Sequence, residues 1–391
     1  MKKFFSLDKN IYAAGVVSLF MDISSEMIYP LVPLFLSSVL GVNKSVIGLI
    51  EGVAESTASI LKVFSGWYSD KVQNRKWLMF GGYGISVLSR PVMALSASWH
   101  QVLGARFIDR LGKGVRTAPR DAIIAESTEP QVMARAFSLH RAMDTVGAVI
   151  GPATAFFLLE KSSNNFRLVF WASVIPGALA LLCIVWFITE TKRQAARKDR
   201  PKLTIGQFSG RFKVFILIIA IFSVGNSSDA FLILRAQQEG IRAATIPIVY
   251  LMFNVIYSLS AVPAGMFADR FGKRRVILLA FLLFSAIYLG FARAKGPSAI
   301  WMMFALYGIF MGLTEGVQKG YLATTIPKDY KATAFGIYNM AVGIALLPAS
   351  VIGGWLWDHV SPAATFYYGS ATALFAALLF LVFIITSKKI T

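Results

Sequence analysis

Stretches of about 20 mostly apolar residues recur twelve times along the chain, and nothing else in the sequence limits the fold as strongly. A helix of that length crosses a hydrocarbon core ~30 Å thick. Backbone amides inside lipid must be paired within a helix or a closed barrel, and runs this long are helical. Reading outward from the charged breaks, the segments fall at roughly 11–38, 46–69, 77–97, 99–125, 136–159, 167–189, 213–236, 245–268, 276–293, 299–326, 333–357 and 364–386. The expectation is an all-α membrane protein with twelve transmembrane helices and both termini on one side. Of the 391 residues, 56% are hydrophobic and 15% charged, against about 25% charged in soluble domains. The shortfall is read as surface facing lipid. The first segment carries Asp22 and Glu26 and is too long for a cleaved signal, so it is expected to stay in the mature protein.

The balance of 39 Lys and Arg against 20 Asp and Glu, a formal charge of +19, would suggest a nucleic-acid partner in a soluble protein. Its placement says otherwise. One set of short connections holds Lys2, Lys3, Lys9, Lys71, Arg75, Lys76, Arg135, the run from Lys192 to Lys213, Arg270, Lys273, Arg274, Arg275, Lys328, Lys331, Lys388 and Lys389. The opposite set holds only Lys44, Lys161, Arg167, Arg242, Arg293 and Lys295. Basic loops stay in the cytoplasm, so both termini are expected there, in a chain integral to the cytoplasmic (inner) membrane. The excess charge then lies beside anionic lipid, where each basic residue contributes about 1 kcal/mol. Lipid replaces nucleic acid as the expected partner. The single cysteine, Cys183, cannot form an internal disulfide, and His100, His140 and His359 are far apart, so neither a thiolate cluster nor a metal site is expected.

The two halves of the sequence match. Ser24-Ser25-Glu26 is matched by Ser227-Ser228-Asp229, Gly66 to Asp70 by Gly265 to Asp269, and Ala136-Phe137 by Ala334-Phe335, each about 200 residues later. Order and spacing are kept. The expected division is therefore an N-terminal six-helix bundle at 1–189, a polar cytoplasmic linker at 190–212, and a C-terminal six-helix bundle at 213–391. Repeats of this kind belong to transporters that alternate access around a central site. Gly265, Asp269, Arg270, Gly272, Lys273 and Arg274 form the loop pattern Gly-x-x-x-Asp-Arg-x-Gly-Lys-Arg. The first half keeps Gly66, Asp70, Lys71, Arg75 and Lys76, with Gln73 in place of the glycine.

With these features the whole chain resembles the major facilitator superfamily, in its proton-coupled drug and metabolite efflux branch. The resemblance implies two pseudo-symmetric six-helix bundles and a cytoplasmic gate at Gly66, Asp70, Gly265, Asp269 and Arg270, with Asp70 and Asp269 stabilising the outward-open state. Physically, an aspartate at a helix end can face the positive start of a neighbouring helix and nearby guanidinium groups.

Ionisable side chains at bilayer depth are costly and by default face a cavity and a function. From an entry at about Ile11, a rise of 1.5 Å per residue puts Asp22 ~17 Å deep and Glu26 one turn further on the same face. Two carboxylates so placed repel when both are ionised, so at least one is suited to carry a proton. Pro30 and Pro33 follow and weaken the helix there, and Asp229 is the counterpart in the second half. Glu51 and Glu55 are one turn apart in the outer half of the second span, as an outer acid path, although Glu51 lies so near the end that a solvated residue is expected equally.

The fourth span holds Arg106, Asp109, Arg110, Lys113, Arg116, Arg120 and Asp121. Arg106 resembles the arginine that superfamily exporters link to proton transfer, although Arg110 replaces a glycine of that pattern. Arg106 or Arg110 is expected to hold Asp22 or Glu26 ionised. Arg116 and Arg120 are expected at the gate, with Asp70, Asp121 or Glu126. In the fifth span Asp144 is expected to pair with Arg110 or Arg141, His140 to be a hydrogen-bonded interfacial residue rather than a pH sensor, and Gly147, Gly151 and Pro152 to form a close-packed bend resembling that of antiporters. Glu315 and Lys319, four apart, read first as a helical ion pair, and with Asp109, Asp144 and Asp229 they join Asp22, Glu26, Arg106 and Arg110 in the expected proton-coupling and central-cavity set. Trp77, Trp99, Trp355 and Trp357 read as interfacial anchors.

The function expected from these features is secondary active transport, namely proton-coupled efflux of a small organic molecule by a monomer that uses the proton gradient and no cofactor. Two alternatives stand beside it: a proton symporter importing an anionic metabolite held by the arginines, and a non-transporting membrane sensor or structural protein. The chain shows no nucleophile with a base and no ATP-binding loop, so an enzyme is not expected.

Overall fold

The computed structural model describes residues 7–71, 74–129, 132–190, 208–326 and 331–388. Among the described residues, twelve long helical segments follow one another. They are α1 (Lys9–Val39), α2 (Lys44–Lys71), α3 (Arg75–Leu95), α4 (Trp99–Glu126), α5 (Met133–Lys161) and α6 (Phe166–Phe187), then α7 (Gly210–Gln238), α8 (Ile246–Phe271), α9 (Lys273–Arg293), α10 (Pro297–Thr325), α11 (Lys331–His359) and α12 (Pro362–Lys388). Ten of them are long and apolar enough to cross a membrane on that ground alone, and α2 and α4 are the other two. In α4 the cause is visible in its charged side chains from Arg106 to Asp121.

Local chemistry sets several of the ends. Asp8 caps α1 by accepting from the Asn10 amide at 2.8 Å, and Asn165 caps α6 through the Leu168 amide. The expected weakening after Glu26 is present. Proline has no N–H, so Pro30 cannot donate to the Glu26 carbonyl one turn back. The helix accordingly tightens to a 3₁₀ turn at Tyr29–Leu31 and widens to a π-turn at Phe35–Val39. Between α8 and α9, Gly272 has φ +94°, a conformation open to glycine alone, so the loop pattern needs its glycine for backbone geometry.

Contacts divide the chain into two compact units, one of 1–40, 57–198 and 243–251, the other of 41–56, 199–242 and 252–391. Residues 191–207, most of the expected linker, lie outside the described residues. The first unit packs Ile11, Val17 and Met21 of α1 with Met79 and Tyr83 of α3, Ile123 and Ile124 of α4, and Ala180 and Ile184 of α6. The second is built around phenylalanines, with Phe222 and Phe281 stacked at 4.4 Å and Phe284 over Tyr288 at 4.0 Å.

In the second unit the first half of α2 lies along α11. Backbones come close enough that a Cβ on Gly52 would sit 3.1 Å from the Leu347 carbonyl oxygen, and Ser56 donates to the Gly343 carbonyl at 2.6 Å. At the start of α2, Asp358 accepts from the Lys44 amide at 3.1 Å and from the amide and hydroxyl of Ser45, both at 2.7 Å. A carboxylate at the positive end of a helix is the favourable arrangement.

Candidate functional site

Small residues bring α3 and α4 together in the first unit. A Cβ on Gly82 would lie 2.8 Å from the Arg116 Cβ, and one on Gly112 would lie 2.5 Å from the Gly82 carbonyl oxygen. In that contact Ser86 donates to the Asp109 carbonyl at 3.1 Å. One turn further, Arg90 meets the Asp109 carboxylate at 3.1 Å, while Arg110 lies at 3.9 Å from its other oxygen. Arg90 also donates to Ser25 at 3.0 Å and to Ser24 at 3.3 Å, and so ties α3 and α4 to α1. It is only 4% exposed. Sequence reading missed Arg90, although the signal was present as one arginine inside an otherwise apolar span.

A second glycine contact joins α1 to α5. Cβ atoms on Gly147 and Gly151 would each come within 2.9 Å of the Cβ of Asp22 and of Glu26, respectively. The two expected proton-carrying carboxylates therefore leave α1 directly against the glycine face of α5, where a larger side chain has no room. Gly147 and Gly151 of the expected bend are thus the points at which Asp22 and Glu26 approach α5.

For Asp22 the neighbouring charges differ from those expected. The charges acting on Asp22 are Asp144 of α5 and Lys113, Arg116 and Arg120 of α4, in place of Arg106 or Arg110. Arg106 and Arg110 lie over the ring of Tyr29, the residue one turn after Glu26 in α1, at 5.6 and 5.8 Å, and Tyr29 contacts Tyr250 at 5.3 Å. Asp144 lies 3.6 Å from His140 rather than beside Arg110, with the charges of Arg120 and Arg141 acting on it. His140 is buried and bonded to Ser18 at 2.7 Å, and Arg120 reaches the same hydroxyl at 3.4 Å. Ser18 and His140 thus sit between Arg120 and Asp144.

Toward the basic end of α4, Arg120 bonds Asp121 at 2.9 Å, as one of the expected pairings. Arg116 instead lies over the Tyr83 ring at 4.5 Å. Glu126 pairs with Arg75 at the start of α3 rather than with Arg116 or Arg120, and the Glu190 carboxylate accepts from the Arg75 and Lys76 amides at 3.0 and 2.9 Å. The side chains of Gly66 and Asp70 lie outside the described residues. In the second copy of the loop, Asp269 pairs with Lys273 at 2.7 Å, Arg270 extends over Phe271 at 5.5 Å, and a Cβ on Gly265 would meet nothing within 4 Å.

The second unit holds a smaller acidic group. Tyr307 donates to Asp229 at 2.8 Å, and Glu51 and Glu55 are close enough for their charge to act on Asp229. Glu51 is 2% exposed, which overturns its reading as a solvated end residue. Glu315 pairs with Lys319 at 2.9 Å as expected and takes a hydrogen bond from Tyr257. Trp357 is not an interfacial anchor. It is 9% exposed and packs on Phe231 and Phe366, whereas Trp77 and Trp355 are half exposed. Arg235 shows that burial of an arginine can serve structure alone: it caps the end of α9 through the Phe291 and Ala294 carbonyls, both at 3.1 Å, and pairs with Glu239 at 2.9 Å.

Helical spans with acids and arginines paired between them make a multi-pass membrane protein, and similarity places it further. The Major Facilitator Superfamily model matches residues 14–235 and 214–390. An uncharacterized MFS-type transporter of Methanocaldococcus jannaschii is 37% identical over 381 residues, covering 96% of this chain and 95% of its own. The cis,cis-muconate transport protein of Acinetobacter baylyi is 22% identical, covering 84% of each chain. The crystal structure of the nucleoside transporter NupG, in a D323A mutant, superposes with a TM-score of 0.83 at 12% identity over 96% of this chain and 99% of that one, a likeness of fold. The chain belongs to the major facilitator superfamily.

Proposed function

We propose that the protein is a proton-coupled secondary transporter that exports a small organic molecule by alternating access, with both termini in the cytoplasm. The observation that carries the reading is the clasp of Asp22 and Glu26 against Gly147 and Gly151. Carboxylates at this depth are stable either protonated or facing basic groups, and Lys113, Arg116 and Arg120 supply those groups for Asp22. A proton arriving at Asp22 weakens its attraction to α4 and leaves Asp144, His140 and Arg120 to share the remaining charge. Loss of the proton restores the attraction. The exchange couples proton occupancy to the packing of α1, α4 and α5. Export rather than import rests on the Gly147 to Pro152 pattern, which resembles that of antiporters.

The buried arginines favour a second reading, symport of an anionic metabolite, because guanidinium groups hold carboxylates bidentately, and a relative carries the name of a muconate transporter. Proteoliposomes with an imposed proton gradient separate the two. With cis,cis-muconate and ethidium as labelled probes, export predicts that a gradient from the outer face inward drives a probe out from the inner side. Accumulation in the same direction as the protons supports symport, and movement indifferent to the gradient overturns both.

A further inference from the structure

A cavity of about 650 Å³ lies at the beginning of α7, and its lining includes none of the acids and arginines of the candidate functional site. Gly210, Arg211, Phe212 and Phe215 line it from α7, Arg274 from α9 and Tyr321 from α10. Among the described residues that line it, none is acidic.

Three features act together. Ser209 caps α7 by accepting from the Phe212 amide at 3.3 Å, so Gly210 and Arg211 stand at the positive end of that helix. Gly272 precedes α9, which begins at Lys273, so Arg274 belongs to a first turn as well. Two helix starts and two guanidinium side chains therefore converge on one space. The third feature is its wall. Arg274 lies over the Tyr321 ring at 5.7 Å, Tyr321 meets Phe215 edge-on at 4.9 Å, and Phe208 stacks on Phe212 at 4.5 Å. Tyr321, Phe212 and Phe215 are all buried, so the aromatic side is a packed surface.

We infer that this cavity binds a phosphate ester, with the phosphate between Arg211 and Arg274 and the organic part against Phe212, Phe215 and Tyr321. Arginine matches the oxygens of phosphate in a fork, and the helix starts add amide dipoles of the same sign. The volume lies within the range of about 300–1,000 Å³ seen for small-molecule sites, larger than a bare anion needs. The headgroup of an anionic phospholipid and a soluble phosphorylated metabolite share this chemistry. With the orientation proposed above, a lipid would come from the inner leaflet, where basic pockets between spans bind such headgroups.

The test is thermal unfolding of the purified full-length protein in detergent, at fixed ionic strength, titrated with dioleoylphosphatidylglycerol, glycerol 3-phosphate or dioleoylphosphatidylcholine. The expected result is a saturable rise in unfolding temperature with one of the two phosphate-bearing anions and none with phosphatidylcholine. The apparent affinity falls about tenfold or more in Arg211→Gln/Arg274→Gln. It stays near the parent value in Arg275→Gln/Arg293→Gln, which removes two exposed arginines that do not line the cavity. Arg274→Lys, which keeps the charge and loses the fork, gives an intermediate value and serves if the double variant does not fold. A response to phosphatidylglycerol alone identifies a lipid, and a response to glycerol phosphate identifies a soluble ester. No response to either anion, an equal response to phosphatidylcholine, or equal weakening in both double variants overturns the site. Binding in detergent depends on neither orientation nor transport, so failure here leaves the transport reading standing, and a failed transport assay leaves this site standing.

Discussion

Arg90 and Asp109 form a buried ion pair at 3.1 Å across α3 and α4, with the two serines of α1 completing the guanidinium shell. Removing one member of such a pair strands the other in low dielectric and costs about 3–5 kcal/mol, whereas replacing both by apolar residues is often close to neutral. Arg90→Leu alone should therefore lower stability sharply in detergent unfolding, and Arg90→Leu/Asp109→Leu should recover at least half of the loss. A double variant as unstable as the single would show that Arg90 acts through some other contact.

The α1 and α5 clasp makes a steric prediction. Gly151→Val forces new atoms toward the Ile23 carbonyl oxygen, 2.8 Å from the Cβ, and should destabilise by about 1–3 kcal/mol. Gly104→Ala adds a Cβ with nothing within 4 Å, and in a helix it should be neutral or stabilising by up to about 1 kcal/mol. Unfolding midpoints of the two variants compare them directly, and equal midpoints would remove the close packing from the account.

At the other end of α2, Asp358 holds the first two amides of the helix together with the Ser45 hydroxyl. Losing a cap of this kind costs about 1 kcal/mol. Asp358→Ala should therefore speed hydrogen exchange several-fold in the first turn of α2 while leaving α9 unchanged. Unaltered exchange there would mean that packing of Gly48 and Gly52 on α11 holds the helix without the carboxylate.

The spans were legible in the sequence because hydrocarbon thickness sets their length: the fourth, expected at 99–125, runs from Trp99 to Glu126, and the first, expected at 11–38, from Lys9 to Val39. The glycines at 147 and 151 were legible as packing residues, but not which side chains they would touch. What stayed hidden was lateral. Depth along a helix places Glu51 near an end, yet it is buried in a stretch of α2 whose Gly48 and Gly52 pack on α11, about 300 residues away in sequence. Trp357 has the composition of an anchor and the neighbours of a core residue. Arg90 was diluted in an apolar average, and its partner Asp109 stood next to a nearer arginine in sequence, Arg110, that turned out to be farther in space. The loop pattern was read as a gate, and Gly272 shows that part of it is a backbone requirement.

The central claim is that Asp22 and Glu26 exchange protons as the transporter works. Proteoliposomes enclosing a pH-sensitive dye, challenged in turn with antibiotics, siderophores and organic anions, report proton movement whichever of these compounds is carried. The account predicts that at least one compound elicits a proton flux in the parent protein, and that Asp22→Asn and Glu26→Gln each abolish it while retaining the parent's unfolding temperature to within a few degrees. A compound carried with no accompanying proton movement, or a flux unchanged in both variants, would contradict it.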